Sequence, residues 1–583
     1  MKKTIIFLLG ILVLTGGIFL TFHLSKEKSQ PVDVADGPVV KRIFNAQRNA
    51  NLRKSGYFRY MTYQNGIAAS AAKVDMNYEQ EDIKELYMGD DDMMLVNYAH
   101  GYMVALPQTQ MKMDFSMSGI WVTKAKSDSQ SIVISGEYSP YEDIESFYAE
   151  YLHRYMLDPE YLETNSITLH QDEIKEVNGR QIYYVALTRN AENSEVQHFN
   201  TYFYAYIRRD ATSRYYDRIM MKTDKFDAKS QSEFNDIAAS YKKITPMGQV
   251  VNRLDFTPVE DPNWDEATKD FYHQLQNVDK PMLGAYTRGN IVYNRYNEIV
   301  DLEEKLDYKF SFGMDYVQFN MDFPVQAMNH LYINEGKYVE LTWHFTDTFN
   351  ASFTGKNVNF DIYDGKEDER IRNFARGAKE FGKPFLLRPN NEMNSDWVSY
   401  GGVATLNDPD IYIENWHRVR KIFEEEGVTN VIWIFNPNDR TYPPANYNSY
   451  LHYYPGNGYA QMLGVTGYNT GTYYADHFGE EWREFDAIYQ HIEEEYKLEF
   501  GDFIWIITEF ASSSSGGDKV KWIGDMFDNL QSYERIKVAI WFSANDPDVR
   551  EGHEGEIARA YVLDETPETV QAFKDGLKRA GYQ

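Results

Sequence analysis

The segment FLLRPNNEMNSDW, residues 385–397, ends an apolar run in Arg388, two asparagines and Glu392, with Trp397 five residues further on. A second apolar run, FIWIITEF at 503–510, carries Glu509 beside its end. Two carboxylates that meet across one cleft can divide labour between proton donor and nucleophile, provided their surroundings separate their proton affinities. Neither glutamate means much alone, because a Glu at a strand end is ordinarily a loop residue or a helix cap. The pair acquires meaning only from a fold that brings both run ends to one face.

Such a fold is readable beyond residue 262. Short apolar, β-rich runs recur at 281–286, 309–316, 337–345, 383–389, 430–437, 461–468, 503–510 and 536–543, as strands buried on both faces do. Amphipathic helices fall between them. DERIRNFARGAKEFG places Ile371, Phe374, Ala375, Ala378 and Phe381 on one stripe and stops at Gly382; DIYIENWHRVRKIFEEEG aligns Trp416, Val419, Ile422 and Phe423 and stops at Gly427. Eight β/α units predict a C-terminal (β/α)8 TIM barrel. A doubly wound open sheet is the alternative, and no glycine-rich phosphate loop follows the first run.

In a barrel of this kind chemistry sits at the C-terminal strand ends. Glu392 follows the fourth strand and Glu509 ends the seventh, so the two face each other across the mouth. There they can approach the roughly 5–5.5 Å separation of a retaining glycosidase. One carboxylate then attacks the anomeric carbon while the other protonates the leaving oxygen. An ionised Glu509 raises the pKa of Glu392 and keeps it protonated; once Glu509 is esterified that field disappears and Glu392 becomes the base for water. Arg388 is the candidate to hold Glu509 ionised by pairing with it.

LTWHF at the third strand, LLRPNNEMNSDW at the fourth, YYPGNGYAQMLGVTGYN at the sixth and IITEF at the seventh make the region from roughly 270 to 580 resemble glycoside hydrolase family 26, a β-mannanase-like family of clan A. The resemblance implies a retaining barrel enzyme with Glu392 as acid/base and Glu509 as nucleophile. It also implies a substrate-binding set of His344, Arg388, Asn391, Trp397, Tyr468 and Trp541. In that set His344 contacts a sugar next to the cleavage point and Trp397 stacks on substrate. Tyr468 orients the nucleophile, and Trp541 is the platform for the sugar at the cleavage site. No cofactor and no metal belong to it, and ligand spacings such as His-x-x-x-His do not occur near either glutamate. Two positions depart from the family pattern. Asn391 stands where the family's mannanases usually carry His; Asn is the habit of the wider clan, where it hydrogen-bonds the sugar 2-hydroxyl, axial in mannose and equatorial in glucose. Phe542 stands where some members have Arg.

The 583 residues are natural for two domains. The net charge of −29 argues against nucleic acid or an anionic membrane surface as partner. The absence of cysteine excludes disulfides and thiolate chemistry. Tyrosine is heavily used, 46 times, and its rings suit sugars as well as cores. After Met1-Lys2-Lys3, residues 4–22 carry no charge, long enough to span a bilayer. The chain divides into a signal anchor or transmembrane helix at 1–23, a polar stalk at 24–39, an accessory domain at 40–248 and the hydrolase barrel at 262–583. In the accessory region SIVISGEY, RQIYYVALTR, NTYFYAYIRR and SRYYDRIMMKT read as strands, and YEDIESFYAEYLHRYM and KSQSEFNDIAASYKKI as helices. They predict an α+β domain with an antiparallel sheet.

The expected protein is a membrane-anchored retaining endo-β-glycosidase on a bacterial surface. It has a single membrane span and acts on a β-mannan or β-glucan type polysaccharide, the organism's own exopolysaccharide included. A polysaccharide-synthesis or export complex is a further partner. Secretion after signal cleavage is the alternative location. The alternative function is a non-catalytic glycan-binding or polysaccharide-assembly protein on a glycosidase-like barrel.

Overall fold

The computed structural model of the chain describes residues 63–583 apart from 65–66, 69–83, 89–91, 108–110, 142, 192–196, 210–213, 247–249, 289–296 and 347–354. The expected anchor and stalk, 1–39, lie outside the described residues. Among the described residues no helix is long and apolar enough to cross a membrane. The chain falls into two compact units. One holds the residues up to Phe147 with Ile167–Asn190 and His198–Leu254; the other holds Tyr148–Ser166, Ala191–Gln197 and Asp255–Gln583.

The first unit is built on antiparallel sheets of nine and four strands. Its strands Gln130–Tyr138, Arg180–Arg189, Thr201–Arg208 and Tyr215–Thr223 lie on the four expected runs. The edge strand Ile167–Val177 pairs with Arg180–Arg189 through Asn178 and Gly179, at φ 53° and 76°, the two left-handed positions of a tight hairpin turn. The helix Ala228–Ser240 starts on a capping box of Asp227 and Ser230. It lays Phe234, Ile237 and Ala238 on a core that includes Leu95, Val104, Ile132, Phe203 and Met221.

The second unit is a closed barrel of eight parallel strands: β1 (Met282–Thr287), β2 (Phe312–Gln318), β3 (Tyr338–His344), β4 (Phe385–Pro389), β5 (Val431–Phe435), β6 (Met462–Thr466), β7 (Ile504–Phe510) and β8 (Ile536–Ser543). Each expected run overlaps one of them: β3 to β8 lie wholly within their runs, whereas β1 and β2 continue past 286 and 316 to Thr287 and Gln318. The barrel interior is filled by Met314 of β2, Leu386 of β4, Ile432 and Ile434 of β5, Met462 of β6, Ile506 of β7 and Val538 and Ile540 of β8, each worth about 1.5–3 kcal/mol of burial. The helix Asp368–Phe381 buries the expected stripe and ends on Gly382 at φ 60°, where glycine is unstrained.

Part of the segment read as an accessory helix belongs to this unit. The helix begins at Ile144, widens to a π-helix over Ala149–Met156, and a short helix Pro159–Thr164 follows. There the Tyr161 hydroxyl donates to the Ala404 carbonyl at 2.8 Å. The Asn165 side chain donates to the Gly355 carbonyl at 3.1 Å and accepts from the Asn357 N–H at 2.8 Å. These bonds brace the loops that follow β3 and β4.

Candidate active site

On β2, β5 and β8 the inward-facing positions are even-numbered, and on β7 Ile506 follows the same rule. The next inward position is Thr508, which would send Glu509 outward. The pairing register shifts between Ile507 and Phe510 against β8, and between Val465 and Thr466 on the β6 side. Such an irregularity re-aims a side chain. Glu509 therefore turns into the mouth, 5% exposed. Its carboxylate lies 2.7 Å from Arg388 Nη2 and accepts from the Tyr468 hydroxyl at 2.7 Å and from Asn391 Nδ2 at 3.3 Å.

Arg388 does not fill the substrate-binding role expected of it. It is fully buried inside the barrel, with no surface to offer a sugar. Its Nε and Nη2 donate to the Thr342 hydroxyl at 2.8 and 2.5 Å, its Nη1 to Asn436 Oδ1 at 2.9 Å, and its Nε lies 3.1 Å from Glu340. It meets the mouth through its ion pair with Glu509. Asn436, just beyond β5, is the hub beside it: its Nδ2 donates to the Thr466 hydroxyl at 3.1 Å, and its backbone carbonyl accepts from the Glu392 N–H at 2.7 Å. Gly464 on β6 makes room for that side chain, since a Cβ there would come within 2.7 Å of Asn436 Oδ1.

Glu392 sits on the loop after β4 with φ 59°, two residues after Asn390 at 51°. Its carboxylate accepts the Trp397 indole N–H at 2.9 Å. Burial, reinforced by the charge of Glu509, pushes its pKa up to about 8, against the lowering influence of the Trp397 bond and Arg388. Trp397 is 47% exposed and tilts against Tyr442 at 5.3 Å, an open aromatic face beside Glu392.

Asn391 is oriented from two sides. His344 Nε2 lies 2.7 Å from its Oδ1, and the Tyr400 hydroxyl donates to its backbone carbonyl at 2.8 Å. Burial lowers the His344 pKa to about 4, so the ring is neutral at ordinary pH. With the proton on Nε2 it donates to Oδ1, which turns Nδ2 toward Glu509. Glu392, Glu509, His344, Asn391, Trp397 and Tyr468 thus converge on one mouth.

Trp541 does not. It is 1% exposed, its indole N–H donates to the Tyr561 carbonyl at 3.0 Å, and it packs against Phe510, Trp522 and Phe573. Its odd-numbered position on β8 directs it outward, away from the mouth, so it cannot be a sugar platform. The next residue, Phe542, points in and stacks on Tyr286 at 4.6 Å, with Tyr468 edge-on at 5.8 Å. Residues the sequence reading passed over include Tyr316, Tyr400, Asn436 and Glu340. Glu340 had a signal, a charge in the middle of an apolar strand.

Among the described residues Asp548, His553 and Glu556 bring ligand atoms within 4.8 Å of one another. Asp548 already accepts there from Tyr473, Tyr474 and Arg550, so the group is satisfied within the protein.

Residues 282–492 match the family model for glycosyl hydrolase family 26. Endoglucanase H of Acetivibrio thermocellus is 31% identical over 284 residues, 48% of this chain and 29% of that protein. A mannan endo-1,4-beta-mannosidase of Bacillus subtilis is 30% identical over 101 residues, 16% of this chain and 26% of that protein. The chain thus spans less than a third of the length of either relative. The solved catalytic domain of a GH26 endo-beta-1,4-mannanase from Bacillus sp. JAMB-750 is 17% identical, with 56% of this chain and 93% of that chain covered and a TM-score of 0.40. The resemblance carried by the strand-end motifs holds over the matched stretch: residues 282–492, which include the third-, fourth- and sixth-strand motifs, are similar to glycosyl hydrolase family 26.

Proposed function

We propose that the barrel is a retaining endo-β-glycosidase. The observation that carries this reading is the unequal setting of two carboxylates at one mouth, near enough for the charge of one to act on the other: Glu509 fixed by an arginine, an asparagine and a tyrosine, and Glu392 desolvated with its pKa raised to about 8. Glu509 attacks the anomeric carbon while Glu392 gives its proton to the leaving oxygen. Glu392 then takes a proton from the water that hydrolyses the glycosyl ester, its pKa having fallen with the loss of the Glu509 charge.

A β-glucan is the first substrate to test and a β-mannan the second. The match to the endoglucanase runs 284 residues, that to the B. subtilis mannosidase 101, and Asn391 replaces the histidine habitual in the family's mannanases. A bacterial exopolysaccharide is the natural form of such a substrate if residues 1–23 hold the barrel outside a cell membrane, as their sequence suggests. Reducing-sugar release by residues 40–583 from mixed-linkage β-glucan, glucomannan, mannan and xylan tests the activity, with Glu509→Ala beside it. Release by wild type only is expected. Release by both variants sinks the assignment of the nucleophile. Tight binding without any release favours the non-catalytic alternative.

A further inference from the structure

Glu340 lies on β3 with its carboxylate inside the barrel, fully buried. The Thr342 hydroxyl is 3.2 and 3.3 Å from its two oxygens, and Arg388 Nε is 3.1 Å away. The same guanidinium pairs with Glu509 at 2.7 Å. One buried cation therefore stands between two buried carboxylates, and its remaining hydrogen-bond partners, Thr342 and Asn436, are neutral. We propose that Glu340 is a positioning residue for the nucleophile: it is the second counter-ion of Arg388, and it keeps the guanidinium paired and in place while the charge of Glu509 is consumed.

The inference rests on the reading of Glu509 as nucleophile, and the chemistry makes the need explicit. In the first step a Glu509 oxygen bonds the anomeric carbon, the glycosidic C–O bond breaks, and the Glu392 proton goes to the leaving oxygen. Glu509 becomes a neutral ester. Arg388 keeps its proton under all ordinary conditions, so without Glu340 it would be left as a lone buried cation, an arrangement that is strongly destabilising. Burial pushes the Glu340 pKa up to about 7, with Arg388 pulling it down and Glu509 pushing it further up. Esterification of Glu509 removes that last push and favours the ionised form of Glu340, its proton passing to solvent, at the stage when Arg388 depends on it.

Glu340→Gln keeps the size and a hydrogen-bonding oxygen and removes the charge. On the glycan that wild type cleaves, kcat/KM, which reports formation of the ester, is expected to fall roughly 100-fold or more. With an activated aryl β-glycoside, any burst of aglycone seen in wild type is expected to vanish because the ester no longer accumulates. A kcat/KM within about threefold of wild type overturns the proposal. Melting supplies a second arm. Glu340→Gln and Glu509→Gln each leave Arg388 one carboxylate, and the double variant leaves none. The double variant is expected to melt roughly 5 °C or more below the sum of the single shifts. Additive shifts overturn the shared cation whether or not any glycan is cleaved. A non-additive melt with no cleavage by wild type overturns the proposed activity instead and upholds the shared cation.

Discussion

At the end of β7, Glu509 is held by side chains from the ends of β4 and β6, with its carboxylate buried and ion-paired. At the end of β4, Glu392 has a single side-chain donor among the described residues, Trp397, from its own half-exposed loop. The same residue type is thus locked in one corner and left with room in the other. Under the proposed mechanism, the group that would form a bond at a fixed point is immobilised by donors that cost no reorganisation during reaction. The group that would give and retake a proton is desolvated until its affinity approaches working pH.

Four variants test that difference. Glu509→Ala is expected to lower kcat by roughly 10⁴-fold or more, and residual turnover near wild type in a reducing-sugar assay would erase the distinction. Glu392→Gln is expected to cost about 10²–10⁴-fold on the natural glycan. On an aryl glycoside whose leaving group needs no proton the loss should be far smaller; equal losses on both would mean that Glu392 is not the acid. Tyr468→Phe removes one fixed donor from Glu509 and is expected to lower kcat by roughly 10–10²-fold with circular dichroism unchanged. A comparable loss of KM alone would move Tyr468 to substrate binding. Trp397→Phe has the smallest effect. The acid must carry its proton, so kcat/KM declines as pH rises through the Glu392 pKa, near 8. The indole bond favours the ionised carboxylate, and its loss should shift that alkaline limb upward. A downward shift would show that the bond serves the protonated form.

The barrel was legible because its eight runs are mostly apolar, as strands buried on both faces are, and its two helical stripes keep the helical period. The hairpin at Asn178-Gly179 carried its own signal, yet its edge strand Ile167–Val177 exposes most of its side chains and shows no apolar alternation to read. The site was legible where a polar residue ends an apolar run, as at Glu392, Asn391 and His344. It was illegible where facing matters. On a strand buried on both sides nothing in the residue types separates the inward Phe542 from the outward Trp541. The register shift that turns Glu509 inward follows from pairing with β6 and β8, not from any residue within IITEF. The placement of Tyr148–Ser166 with the barrel is likewise a matter of partners far away in the chain.

Glu392 also occupies a left-handed backbone position, φ 59°, which disfavours every residue except glycine and, to a lesser degree, asparagine, by about 1–2 kcal/mol. Its raised pKa adds a second burden: between the ordinary carboxylate range and about 8 the folded chain binds a proton that the unfolded chain has given up, so stability declines as pH rises across that interval. Backbone and ionisation therefore reward the loss of this side chain together. A laboratory population screened for heat resistance alone would meet glycine at position 392 as an improvement. The proposed proton donor is then the part of the barrel most easily forgotten, and a descendant without it would outlast its parent in the test tube.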